Sequence, residues 1–241
     1  MGRQLSGGKA DTWTIPPSGS ALAQPDLSDD APPWGAWAGM VLGDGASDGW
    51  HERMNVVSSR EDLARFAALD IDFEAIGLME PGVPQEPYFC DPVGGEPVGR
   101  VGCDGVHFIL LPGDERVFCV DPAMGEPGSY VLPVAENFRQ FLSFVLFCGD
   151  ANPISQIWWM DEGRFRDFLK EESERSWEGM EDLLERKKAA LAAIAAAFDI
   201  EPAGPCGKVK TLQAGFDSAC LRFSEEYYDT LGLDSPEQEE I

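Results

Sequence analysis

Residues 130–150 read YVLPVAENFRQFLSFVLFCGD. Within this run Phe138, Phe141, Leu142, Val145 and Leu146 fall at i, i+3, i+4, i+7 and i+8, the period of one helical face. Phe144 and Phe147 widen that face, so the spacing predicts a helix buried around most of its circumference. Gly149 follows as the residue that ends a helix in left-handed backbone. The uncharged part after Arg139 is far shorter than the roughly 20 apolar residues of a membrane span. Burying each large side chain contributes about 1.5–3 kcal/mol, enough for this one helix to anchor a sheet.

The sheet is expected just upstream. Residues 99–103 and 106–111 are apolar runs separated by Asp104 and Gly105, the signature of a hairpin. Pro112-Gly113-Asp114 then turns into a strand at 116–120, and a last strand is predicted at 129–133. Close spacing and short turns imply an antiparallel meander. Before it, a helix is predicted at 60–69, with Ser59 as its cap, Glu61 and Asp62 in its first turn, and Leu63, Phe66 and Ala67 on its apolar face.

Downstream the pattern is helical. Asn152-Pro153 opens one helix carrying Ile157, Trp158 and Trp159, and 163–170 continues with Phe165, Phe168 and Leu169. A longer helix is predicted at 178–198. There Met180, Leu184, Lys187, Leu191, Ile194 and Phe198 form a seam suited to another helix, with Asp182 and Arg186 paired at i, i+4. The fold class is therefore α+β: a meander of about four strands covered by a core helix, with an additional C-terminal helical region. The expected division is a flexible arm at 1–33, rich in Ser, Gly, Pro and Asp; a core at 34–150, opening on Trp34 and Trp37; a helical extension packed on it at 151–223; and an acidic, fraying tail at 224–241.

Charge bounds the function. Forty-three acidic residues against 18 basic ones give a formal net charge of −25. Such a surface repels nucleic-acid phosphates and anionic lipids, and it speeds encounter with a basic protein. Solubility or a saline habitat would produce the same excess. Six scattered cysteines without a C-x-x-C pair, and only two histidines, suggest neither a zinc site nor any other metal or cofactor. The polar, glycine-rich opening at 1–10 lacks the apolar stretch of a signal peptide, so the expectation is a reducing cytoplasm with free, mostly buried thiols.

Several short motifs have plainer readings beside the functional ones. Gly45-Ala46-Ser47-Asp48-Gly49 matches the G-x-S-x-G of a hydrolase elbow, with His51 or His107 as the available base. The flanking residues make a poor strand and helix, which favours a simple glycine turn. The same loop fails as an EF-hand, having Ala46 and Asn55 where calcium ligands belong. Gly94, Gly95, Gly99 and Gly102 lack the helix start and lysine of a phosphate cradle. His107 reads as a packed or hydrogen-bonded strand residue. Of Trp158 and Trp159, one ring is expected in the core and the other outside, as an anchor for a partner.

From Phe66 to Gly99 the chain has no Lys or Arg but carries Asp70, Asp72, Glu74, Glu80, Glu86, Asp91 and Glu96. Its prolines argue for loop and sheet edge. Such a run is a solvated face or a track of carboxylates that docks a cationic partner.

HFILLPGDERVFCVDP followed by GSYVLPVAENFRQFLSFVL resembles the C-terminal half of the SUKH superfamily, the Syd, Smi and Knr-like proteins. The family's final strand and A-x-x-F-x-x-F-L helix are matched by Ala135, Phe138, Phe141 and Leu142, within a resemblance spanning about 101–147. The resemblance implies an α+β fold and a non-enzymatic role, in many bacterial members as immunity proteins that neutralise toxins, often nucleases. The leading expectation is thus an acidic binding module for a basic protein such as a toxin domain, using Asp70, Asp72, Glu74, Glu80 and Glu86, with Trp159 as an anchor. The alternatives are a small serine hydrolase using Ser47, and a scaffold that binds a partner helix along the 180–198 seam.

Overall fold

The computed structural model describes residues 58–124, 127–175 and 180–235. The arm at 1–33, Trp34, Trp37, Ser47 and His51 lie outside the described residues.

The meander is present. Strands β1 (Glu96–Arg100), β2 (His107–Leu110), β3 (Val117–Val120) and β4 (Val131–Ala135) form one antiparallel sheet in the order β1-β2-β3-β4. The first strand begins earlier than the sequence predicts and contains Pro97. Proline is tolerated there because β1 is an edge strand, with β2 on one side only. The hairpin loop is also longer than Asp104-Gly105. The ladder closes at Arg100–His107 and Val101 N donates to Val106 O, leaving residues 102–105 as the turn.

The predicted helix is α2 (Phe138–Cys148), with Phe138, Phe141, Leu142, Phe144, Val145 and Cys148 buried. Asn137 caps it by accepting from Gln140 N at 2.9 Å. Gly149 ends it at φ 72°, donating its N–H to Val145 O at 2.8 Å. Along the strands the side chains alternate. Phe108, Leu110, Val117, Cys119 and Val134 join the α2 side of the core. Ile109, Phe118, Val120 and Val131 face the opposite way.

That opposite face is covered too, by a part of the chain expected to fray. Ser224 precedes a short helix, α7 (Glu225–Leu231), and Tyr227 is buried against Tyr130, with its hydroxyl accepting from Gly128 N at 3.2 Å. Phe216, Leu221 and Phe223 complete this cover. The acidic composition of the segment hid the few aromatic residues that dock it. Residues 236–241 lie outside the described residues.

Helix α1 (Ser59–Ala67) is capped by Ser58, not by Ser59, through Arg60 N at 3.3 Å. Ser59 is drawn inward instead. Its hydroxyl donates to Glu115 O at 2.7 Å and accepts from Phe138 N at 3.0 Å. One side chain thereby joins α1, the loop before β3 and an otherwise unsatisfied donor of α2. Leu63 and Phe66 are buried as expected, whereas Ala67 is exposed. Asp62 is also buried and receives Arg139 of α2 through two hydrogen bonds, at 2.6 and 3.2 Å.

Beyond α2 come α3 (Asn152–Ser155), a 3-10 turn at Ile157–Trp159, α4 (Glu162–Glu174), α5 (Met180–Phe198) and α6 (Cys206–Ala214). The first stops before the tryptophans. In the tighter turn Ile157 takes the core position, and both rings face out, with Trp158 and Trp159 at 40% and 47% exposure. The expectation of one buried ring is corrected accordingly. In α5, Ala190, Ile194 and Phe198 are buried in the core, and Leu191 packs against it. Arg186 reaches across to Asp72 instead of Asp182, and Lys187 pairs with Asp150 at 2.9 Å. Gly77, at φ 66°, lies so close to Asp150 that a Cβ there would meet Oδ1 at 2.1 Å. Only glycine fits both the backbone and the space.

Candidate partner-binding surface

The acidic segment between α1 and β1 is shaped by the sheet edge. Met79 and Arg100 exchange backbone hydrogen bonds of 2.9 Å, and Gly82 N donates to Val98 O at 3.3 Å. Residues 79–82 thus cover the outer side of β1 and block its pairing with another strand.

The segment is base-free in sequence but not in space. Arg186 engages Asp72, Arg100 engages Glu80 at 2.8 Å, and Arg60 engages Glu96 at 2.8 Å. Asp72 also caps the 3-10 turn Glu74–Ile76 by accepting from Ala75 N at 3.1 Å. Asp70, Glu74 and Glu86 are exposed. The structure therefore divides the five predicted acids. Asp72 and Glu80 each pair with an arginine, and Asp70, Glu74, Glu80 and Glu86 face solvent.

The same residues also separate in space. Asp70, Asp72 and Glu74 lie in and just before the turn that packs on α5. Glu80 and Glu86 line an open groove of about 520 Å³ beside β1, together with Gln85, Pro87, Tyr88 and Arg100. Trp159 is in neither group. Its indole N–H donates to Gln156 Oε1 at 3.1 Å, and the adjacent Trp158 carbonyl accepts from Lys210 of α6 at 2.7 Å. Helix α6 packs on β4, the far edge of the sheet from β1.

Behind the groove sits a buried pair that the sequence did not disclose. His107 Nε2 lies 3.0 Å from Asp91 Oδ1, and its Nδ1 lies 2.8 Å from Gly105 O. Both ring nitrogens face acceptors, an arrangement that the doubly protonated imidazolium satisfies. Burial alone would lower the pKa of His107. The Asp91 carboxylate and the Gly105 carbonyl outweigh it, and the net shift is upward. Asp91 Oδ2 in turn accepts from Tyr88 N at 3.0 Å, and the Tyr88 ring stacks on the imidazole at 5.6 Å and 25°. A Cβ on Gly105 would meet that ring at 2.9 Å. His107 is thus a hydrogen-bonded strand residue, as expected, and it seats Tyr88 at the rim of the groove.

Because the folded pKa lies above the unfolded value of about 6.5, this pair's stabilisation is complete below that pH. It is lost as pH rises through the folded value. The urea midpoint is expected to fall as pH rises above about 6.5, and His107→Gln should remove that part of the slope. An identical slope in the variant would show that the pair contributes nothing.

No protein-family model, curated protein or solved structure matches the chain. The chemistry must be read from the side chains alone. None of the six cysteines forms a disulfide, and Cys90, Cys119, Cys148 and Cys206 are buried. Burial raises these four thiols, that of Cys90 to about 12, so they stay protonated and serve as packing groups. The glycines weighed as a phosphate cradle shape the sheet edge instead. Gly94 and Gly102 take left-handed turns, and Gly99 sits at the β1 bulge against Leu78. Among the described residues no helix is long and apolar enough to cross a membrane.

Tyr88, Gln85 and Arg100 were not singled out in the sequence. Arg100 carried a signal: it is the first base after the long acidic run, and so its nearest counter-ion. Tyr88 and Gln85 carried none, since their position depends on how residues 79–91 fold back along β1.

Proposed function

We propose that the chain is a non-enzymatic, acidic binding module for a basic protein. The observation that carries this reading is the excess of carboxylate over base. After Arg60, Arg100 and Arg186 have neutralised their partners, Asp70, Glu74 and Glu86 still face solvent, in a chain of formal charge −25. The four-stranded meander with a phenylalanine-rich helix across it suits the SUKH resemblance. On that resemblance the partner is a toxin domain, nuclease-like in its positive charge, and the chain is its immunity protein in a reducing cytoplasm. Six cysteines without a disulfide among them are compatible with that setting. Long-range attraction would bring the two together, and the carboxylates would occupy the surface that otherwise holds substrate phosphates.

The test is capture from the native cell by the immobilised chain. One basic protein should be retained at about 0.1 M salt, where screening acts over about 10 Å, and released at about 1 M, where it acts over about 3 Å. The triple variant Asp70→Lys, Glu74→Lys, Glu86→Lys should fail to retain it. The purified pair should show loss of the captured protein's own activity. Retention that ignores both salt and charge reversal would end this reading.

A further inference from the structure

We propose that the groove beside β1 is the seat of an arginine side chain from that basic partner, an assignment that rests on the reading above. Its lining sets two carboxylates, Glu80 and Glu86, against one guanidinium, Arg100. Arg100 is already held through Glu80 Oε2 at 2.8 Å, and Glu86 is exposed. The residual charge of the groove is therefore negative, and so is the field of the whole chain, which together select a cation over an anion.

The aromatic rim selects the kind of cation. Tyr88 is 42% exposed, and its ring is fixed from behind by His107 and by the close approach of Gly105. Asp91 lies 3.0 Å from the imidazole beneath it. A guanidinium can lie flat on such a ring while its fork of N–H donors meets a carboxylate, which a lysine ammonium does less well. Among the described residues no three His, Cys, Asp or Glu side chains converge on one point.

One wall of the groove is tied to the sheet edge. Glu80 adopts φ 51°, uncommon for a residue with a Cβ. It is held there by the backbone pairing of Met79 with Arg100 on one side and by its own side-chain link to Arg100. Glu80 and Arg100 therefore stand in place at that wall before a side chain enters.

The experiment titrates the full chain with three capped fluorescent peptides, rich in arginine, lysine or glutamate and otherwise matched, at about 0.1 M salt. The arginine peptide should bind tightest and the glutamate peptide not at all. Tyr88→Ala should weaken arginine-peptide binding about two- to five-fold, the worth of an exposed cation–π contact. Tyr88→Phe, which keeps the ring, should leave it unchanged. Glu86→Gln should weaken it by a similar factor, and the pair Asp70→Asn, Glu74→Asn by less than about two-fold. Binding that survives Tyr88→Ala and Glu86→Gln but falls with Asp70→Asn, Glu74→Asn would overturn the groove and spare the acidic-module reading. Failure of every basic peptide to bind would overturn both, and preference for lysine or for the anionic peptide would overturn the arginine assignment.

Discussion

Phe141→Ala is expected to destabilise the fold by about 3–5 kcal/mol, the usual cost of emptying a buried phenylalanine site. Phe141 is fully buried at the junction of α2 with the sheet, with its ring 4.8 Å from Phe108 of β2 and 6.0 Å from Phe138 one turn earlier. Phe66 of α1 meets the same cluster, 5.4 Å from Phe138. Helix α2 and strand β2 therefore lose a shared contact, and the closely packed rings around it cannot all move to fill the space. Since domains are stable by about 5–15 kcal/mol, the loss should appear as a large fall in urea midpoint. Leu146→Ala, on the same helix but only half-buried, should cost visibly less. Equal losses at the two sites would mean that α2 is not seated on the sheet through its phenylalanine face.

Arg139→Met is expected to cost about 3 kcal/mol for a different reason. Asp62 is almost wholly buried, and its carboxylate relies on the two Arg139 hydrogen bonds that lash α1 to α2. Without Arg139 that carboxylate is left charged and poorly solvated. The double variant Asp62→Leu, Arg139→Met removes the stranded charge and should recover much of the loss, because replacing both partners of a buried pair by apolar groups is often close to neutral. A double-mutant cycle in urea measures this directly. A double variant as unstable as the sum of the singles would show that the two side chains act independently.

These two sites show where the sequence was legible. Phe141 could be placed because a helical period repeats locally and Gly149 marks its end. Asp62 was read as a first-turn residue complementing the helix dipole, since nothing near it in the chain points to Arg139. The same limit separates the rest. The strands of the meander were visible in their apolar runs, yet HFIL and VFCV lack polar alternation, which is the pattern of strands buried on both faces. Read that way, they called for a second cover, and Tyr227, Phe223 and Phe216 supply it from near the C-terminal end of the described residues. Trp158 and Trp159 were misplaced because the direction of a side chain depends on whether the helix continues, and α3 ends at Ser155. At the candidate surface, the carboxylates were countable but their neutralisation was not. Arg186 and Arg60 arrive from distant helices, and Arg100 from the adjacent strand.

The late arrival of that second cover has a consequence for biosynthesis. A ribosome delivers β2, β3 and α2 well before Phe216 and Tyr227, so a nascent or clipped chain carries Ile109, Phe118 and Val120 bare on one side of its sheet. Until the last helix docks, such a chain presents the sticky surface that chaperones and proteases recognise. The acids surrounding Tyr227 then have a use unrelated to any partner: they keep the last-made segment in solution until it docks.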